Sequence, residues 1–162
     1  MEIYDYLDTH DIQYERHDHP PVFTCDDVNR LVPLLPGKKT KNLFICDNKG
    51  KQHFLVTLPD EKSVDLKSFG EALSVKKLRF ASAGRLEKHL KLEPGAVTIL
   101  GVMNDDARQV QVIVDNAIWG ADALQCHPLV NTATLVITLE NVRKFLAATG
   151  HEPTVMDVPA RD

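Results

Sequence analysis

Residues 40–46 and 53–58 are two apolar, β-branched-rich runs separated by Asp47-Asn48-Lys49-Gly50, and no other stretch restricts the backbone as tightly. Asn and Gly tolerate the dihedrals of a tight reversal, so the pattern predicts two antiparallel strands joined as a hairpin. The chain around it has to supply the remaining strands and the helices that cover them.

Helix and strand signals alternate along the 162 residues without a Ser/Gly-rich linker, low-complexity tract or repeat, which leaves a second domain nowhere to begin. One α/β (mixed α+β) domain over residues 1–162 is the expectation, and the length suits a substantial core. Ile3, Tyr6 and Leu7 have helical spacing, and residues 12–14 begin an extended segment. Thr24 with Asp26 and Asp27 opens a short helix through Leu31, ended by Pro33 and Pro36-Gly37. Asp65 caps a helix carrying Leu66, Phe69 and Leu73; Ser82 or Ala83 opens another carrying Leu86 and Leu90; Leu78-Arg79-Phe80 between them reads as a short strand. Further strands are predicted at 97–100, 110–114 and 132–137, where β-branched residues dominate. Val142, Phe145 and Leu146 predict a last helix over 139–148, stopped by Gly150. The sum is a mixed central β-sheet flanked by helices.

Composition excludes several classes. Hydrophobic content of 43% with 26% charged residues and a formal charge of -4 describes a soluble globular chain rather than a disordered or fibrous one. No apolar run approaches the roughly 18 residues of a membrane span, which predicts a cytosolic protein without a membrane role. Cys25, Cys46 and Cys126 form neither a CxxC pair nor a disulfide framework, so reduced structural thiols are expected. Cys126 directly precedes His127, but neighbours on an extended strand point to opposite faces, which argues against a Cys/His catalytic pair. His17 and His19 have ligand-like spacing, yet no further cluster completes a metal site, and a solvated loop before Pro20-Pro21 is the better reading. With no nucleotide-binding loop either, no metal and no cofactor is expected. Nor is there a GxSxG elbow or an HExxH helix to supply a nucleophile or a zinc-bound water.

Polar residues beside apolar runs mark two segments about 85 residues apart, Thr40-Lys41-Asn42-Leu43-Phe44 and His127-Pro128-Leu129-Val130-Asn131-Thr132-Ala133-Thr134. Taken singly, each residue has an ordinary use. A strand lysine such as Lys41 snorkels into water, amides such as Asn42 and Asn131 tie loops together, and a histidine before proline such as His127 constrains a loop.

Their co-occurrence resembles the family of prolyl-tRNA synthetase-associated editing domains, which includes free-standing trans-editing aminoacyl-tRNA deacylases. The resemblance covers nearly the whole chain, through Pro21-Val22-Phe23-Thr24, the two segments above, His53-Phe54-Leu55-Val56, Phe80-Ala81-Ser82, Pro94-Gly95, Leu100-Gly101 and Asn104-Asp105. Lys41-Asn42 and the segment from His127 to Thr134 are similar to the branch that removes alanine from proline tRNA. One position departs: Gly95-Ala96-Val97-Thr98-Ile99 has isoleucine where the family's Gly-x-x-x-Pro loop has proline.

The resemblance implies the editing-domain fold and hydrolysis of the ester of mischarged alanyl-tRNA for proline, with a vicinal ribose hydroxyl helping to activate water. The alternatives are a deacylase for cysteinyl, seryl or threonyl-tRNA, or a non-catalytic tRNA- or synthetase-binding module of the same fold. It implies that Lys41 holds the substrate's phosphate or carbonyl region, that Asn42 orients the aminoacyl group, and that backbone amides around Gly101 bind the carbonyl oxygen. His127 and Asn131 shape the amino-acid pocket, with Phe23 and Ser82 as wall residues. Mischarged tRNA is the expected partner, with prolyl-tRNA synthetase as a second, and neither DNA nor membrane. Local charge agrees with RNA: residues 38–53 hold five lysines against one aspartate, and 76–91 six basic residues against one glutamate. Lys38, Lys39, Lys76, Lys77 and Arg79 are the tRNA-contact candidates.

Overall fold

The computed structural model describes residues 2–24, 26, 27, 30 and 34–161. In chain order the elements are α1 (Ile3–Thr9), β1 (Glu15–Asp18), β2 (Thr40–Cys46), β3 (His53–Pro59), α2 (Leu66–Leu73), β4 (Arg79–Phe80), α3 (Ala83–Leu90), 3-10 turns at Pro94–Ala96 and Ile99–Asn104, β5 (Val110–Asp115), α4 (Asn116–Trp119), β6 (Ala123–Cys126), β7 (Ala133–Thr138), α5 (Leu139–Thr149) and β8 (Thr154–Met156). The hairpin of β2 and β3 forms as expected, closed by Asp47 Oδ1, which accepts the amides of Lys51 and Gln52, and by Gly50 at φ +68°.

Strands assemble into a five-stranded sheet, order β4-β2-β3-β5-β8, and a three-stranded sheet, order β1-β7-β6. The larger is mixed: β2 runs antiparallel to β3 and β4, whereas β3, β5 and β8 are parallel. Alternation along its strands sorts the core. Phe44, Leu55, Val110, Val112 and Val114 face one cluster, shared with Leu86 and Leu90 of α3, Phe145 and Leu146 of α5, and Leu124, Leu135 and Ile137 of the small sheet. The intervening Ile45, Phe54, Val56, Leu58 and Ile113 face a second cluster built on Phe69 of α2. Phe69 and Phe145 are fully buried, each contributing roughly 1.5–3 kcal/mol by leaving water.

Helix ends carry their own signals. Asp65, Ser82 and Thr138 accept the amides of Ser68, Arg85 and Asn141, caps worth about 1 kcal/mol each. Gly150 closes α5 at φ +79°, a left-handed conformation that any side chain would strain. Thr24 Oγ1 accepts the Asp27 amide where a helix through Leu31 is predicted, but much of that helix, with Cys25 and Pro33, lies outside the described residues.

One predicted strand is absent. Residues 97–100 lead instead into the 3-10 turn Ile99–Asn104, because Thr98 Oγ1 accepts the Leu100 amide as a cap and Thr98 O accepts the Gly101 amide. A β-branched run reads as strand, but side-chain capping and burial of Ile99 and Leu100 win here. Ile99 is the first residue of that turn, the position at which proline's missing N–H costs nothing, so isoleucine and proline suit the same backbone. Two further strands, β6 and β8, go beyond what the sequence foretold.

Candidate active site

The site grows from an interruption in pairing at the outer edge of β2. Strand β4 pairs only with Ile45 and Cys46, and at the other end Lys38 bridges to Leu124 of β6, joining the two sheets. Phe44 O accepts the Ala81 amide, so even-numbered residues of β2 turn their backbone groups to this edge. By the same alternation Asn42 N–H and C=O point to the edge, beyond the end of β4.

Two abutting clefts occupy the gap. One, about 130 Å³, is lined by Lys41 with Val22, Phe23, Thr24, Gly95 and Val97 among others. The other, about 30 Å³, is lined by Lys39, Asp60, Gln125, Cys126 and Thr134. Thr40, Asn42 and His127 belong to both.

Hydrogen bonds fix these walls. Thr57 Oγ1 donates to Asn42 Oδ1 at 2.6 Å across the hairpin, which leaves Asn42 Nδ2 as the donor. Thr40 Oγ1 donates to Gln125 O at 2.8 Å, and Gln125 Nε2 in turn holds the carbonyls of Leu35, Pro36 and Gly37 ahead of β2. His127 Nδ1 lies 3.3 Å from Ala133 O, and an acceptor there requires Nδ1–H and makes Nε2 the acceptor. Burial is the main cause that lowers the His127 pKa, with His19 adding to it and the Ala133 bond opposing, so the ring is held neutral. His19 clamps the same wall, Nδ1 to Pro20 O and Nε2 to the Thr134 hydroxyl, both at 2.8 Å.

Lys41, Asn42, His127 and Phe23 are thus brought together. Asn131 stands just behind them: its Nδ2 donates to Val22 O at 2.9 Å while Asn131 O accepts the Val22 amide, so it clasps the segment that presents Phe23. Gly95 matters at the same place, since a Cβ there would sit 3.1 Å from the Phe23 ring and 3.6 Å from Asn131 Nδ2. Phe23 is 70% exposed at the mouth.

Two expected residues stand outside both clefts. Gly101 is buried with its own amide bonded to Thr98 O, and a Cβ there would meet Leu92 Cδ1 at 2.6 Å, so that amide is spent within the turn. Ser82 caps α3 through Oγ and lines neither cleft. Among the tRNA candidates, Lys38 lies 3.5 Å from Glu61, Lys39 lines the small cavity, Lys76 and Lys77 rim a groove beside α2, and Arg79 sits on edge strand β4.

Thr40, Asp60, Gln125 and Thr134 had no assigned role from sequence. Thr40 and Thr134 do fall inside the two marked segments, and Gln125 interrupts an apolar run, but Asp60 had no signal beyond following Pro59.

Cys126 lines the small cavity as a buried thiol whose pKa burial pushes up to about 12, which disqualifies it as a nucleophile. No group of three His, Cys, Asp or Glu among the described residues is arranged to hold a metal ion. No helix among them is long and apolar enough to cross a membrane. A larger cleft, about 860 Å³, opens elsewhere, beside Lys62, Asp115 and Asp157. Size does not make it the reactive site, because Lys62 is bonded to both carboxylates, at 2.6 and 2.8 Å.

Residues 19–145 match the aminoacyl-tRNA editing domain family. The prolyl-tRNA editing protein ProX of Acetoanaerobium sticklandii is 37% identical over 145 residues, 90% of this chain and 88% of that protein. Prolyl-tRNA synthetase associated domain-containing protein 1 of Mus musculus is 33% identical over 150 residues, again 90% of this chain and 88% of that protein. A crystal structure of a candidate trans-editing enzyme for prolyl tRNA synthetase shares the fold, with a TM-score of 0.70 at 16% identity over 98% of this chain and 95% of that one. The family match runs through the hairpin, the gap at β2 and the His127 loop alike, and on it the chain belongs to the aminoacyl-tRNA editing domain family.

Proposed function

We propose that this protein is a trans-editing deacylase that hydrolyses the ester of alanine mischarged onto proline tRNA, releasing alanine and free tRNA. The observation that carries the reading is the pairing of a roughly 30 Å³ polar cavity with the Lys41 cleft through Thr40, Asn42 and His127. A cavity of that size suits a methyl group or one water better than a pyrrolidine ring. That sieve is what translation needs, since a pocket built for proline discriminates against the smaller alanine by only about 1–3 kcal/mol per missing methylene.

Ester hydrolysis requires a placed water, a proton acceptor and stabilisation of charge growing on the carbonyl oxygen. Lys41 supplies the positive charge, with the Asn42 edge amide as the hydrogen-bond donor to that oxygen. Asn42 Nδ2, held by Thr57, orients the aminoacyl group. His127 and Thr134 wall the side-chain cavity, and Phe23 closes the mouth. Cys126, protonated and buried, supplies no nucleophile, and in this reading the ribose hydroxyl next to the ester helps to activate the water.

The tRNA body fits the basic flank of β2. Arg79 pairs with Cys46, five residues from Lys41, or roughly 17 Å at about 3.3 Å per residue. Lys76, Lys77 and Arg79 then meet stem phosphates while the 3′ end occupies the cleft, with Lys38 and Lys39 nearer the ester. Such a substrate places the protein with the cytosolic tRNA pool and makes prolyl-tRNA synthetase a natural neighbour.

The test is hydrolysis of alanyl-tRNA with and without that vicinal hydroxyl. Release from the intact ester and a loss of about 100-fold or more without the hydroxyl is expected. Equal rates would transfer the proton acceptor to the protein, and no release from either would remove the deacylase assignment.

A further inference from the structure

We infer that Asp60 binds the substrate's α-ammonium group, so that the site selects aminoacyl esters with a free amine. The inference rests on the deacylase reading above and adds a specificity determinant to it. Asp60 follows directly on the last residue of β3, where Pro59 pairs with Thr40, and its amide approaches Lys39 O at 3.4 Å. That register carries Asp60 into the lining of the small cavity with Asn42, Gln125 and His127. Among the described residues that line the two clefts, Asp60 is the one acid.

An amino acid carries its side chain and its ammonium on the same carbon. A cavity that receives the methyl of alanine therefore receives the ammonium within the same few ångströms, and burying that charge without a counter-ion is costly. A carboxylate at the rim removes the cost. Asp60 lies beside Glu61 and near Lys39, and where the two carboxyls share a proton Asp60 holds it; an arriving ammonium sends that proton to water and pairs with the ionised carboxylate. Burial is the first cause that raises the Asp60 pKa, Glu61 the next, with Lys39 opposing; an arriving ammonium stabilises the charged form of such a group. N-acylated esters, including peptidyl-tRNA, have no ammonium and carry added bulk, and they fall outside the substrate class.

Lactyl-tRNA isolates the charge, because it replaces the ammonium of the alanyl ester by a neutral hydroxyl at nearly constant size. With each rate divided by that ester's uncatalysed hydrolysis, wild-type protein is expected to favour alanyl over lactyl by about 30- to 100-fold in kcat/KM. Asp60→Asn should lower alanyl hydrolysis by a similar factor and lactyl hydrolysis by far less, and a urea titration reports whether the variant is folded. Equal loss on both esters, or no preference in the wild type, overturns the role of Asp60 alone. Wild-type protein that hydrolyses neither ester overturns the deacylase reading, and the role of Asp60 with it.

Discussion

Lys41→Ala is expected to lower alanyl-tRNA hydrolysis by about 100- to 1,000-fold while leaving the fold intact, the scale seen when one preorganised oxyanion-stabilising group is removed. The size follows from position. Lys41 is half-buried in the cleft at the unpaired stretch of β2, where its charge acts in a partly desolvated setting. Its neighbours along the strand hold the backbone without it: Asn42 is tied to Thr57, Thr40 to Gln125, and Phe44 lies in the core. Stability should therefore change by no more than about 0.5 kcal/mol, while turnover collapses. Single-turnover kinetics beside a urea titration separates the two, and near-normal turnover by the folded variant would take Lys41 out of the mechanism.

Asp115→Ala carries the largest expected effect on stability, about 3–5 kcal/mol. Asp115 is 2% exposed at the end of β5. One oxygen accepts the Ala117 amide; the other accepts Lys62 Nζ and the Val158 amide, which fastens the C-terminal segment across the sheet. Removing the carboxylate orphans two amides and takes from a half-buried ammonium the buried one of its two carboxylate partners. Lys62 also bonds Asp157, but that carboxylate is exposed, and Asp157→Ala should cost less than about 1 kcal/mol. Burial alone would raise the Asp115 pKa; the bonds from Lys62, Ala117 and Val158 outweigh it and hold the carboxyl below its usual range. A depressed carboxyl contributes its stability above the unfolded-state value of about 3.9 and loses it as pH falls further. Urea titrations near neutral pH and in acid check both parts, and equal losses for the two variants would contradict this account of Asp115.

Much of this architecture is written locally, and the hairpin shows why. Its turn residues, its alternation and its cross-strand partners all lie within about twenty residues, so the local signal and the tertiary outcome agree. The caps at Asp65, Ser82 and Thr138 are similarly local. Strand β6, by contrast, is four residues without a β-branched side chain, and what makes it a strand is β7 beside it. The turn at Ile99–Asn104 went the other way: a strand-like composition was overridden by Thr98 acting as a cap. Lys41, Asn42 and His127 stood out because two polar segments occur together, Phe23 entered only through the family resemblance, and the fold brings all four to one gap. The packing of Gly101 against Leu92 was not legible, because a glycine at a close contact looks in sequence like a glycine in any turn. Asp60 was invisible, since only the register of β3 on β2 carries it to the cavity.

The central claim is that a small cavity beside Lys41 sorts aminoacyl esters by size. It is tested most directly by release of labelled amino acid from alanyl-, seryl-, cysteinyl- and prolyl-tRNA, all on the proline acceptor sequence. The account predicts fast release of alanine and a prolyl ester spared by about 100-fold or more, with the polar lining of Thr40, Gln125 and Thr134 making serine the nearest competitor. Release of proline at the alanine rate, or silence across the panel from folded protein, would contradict it.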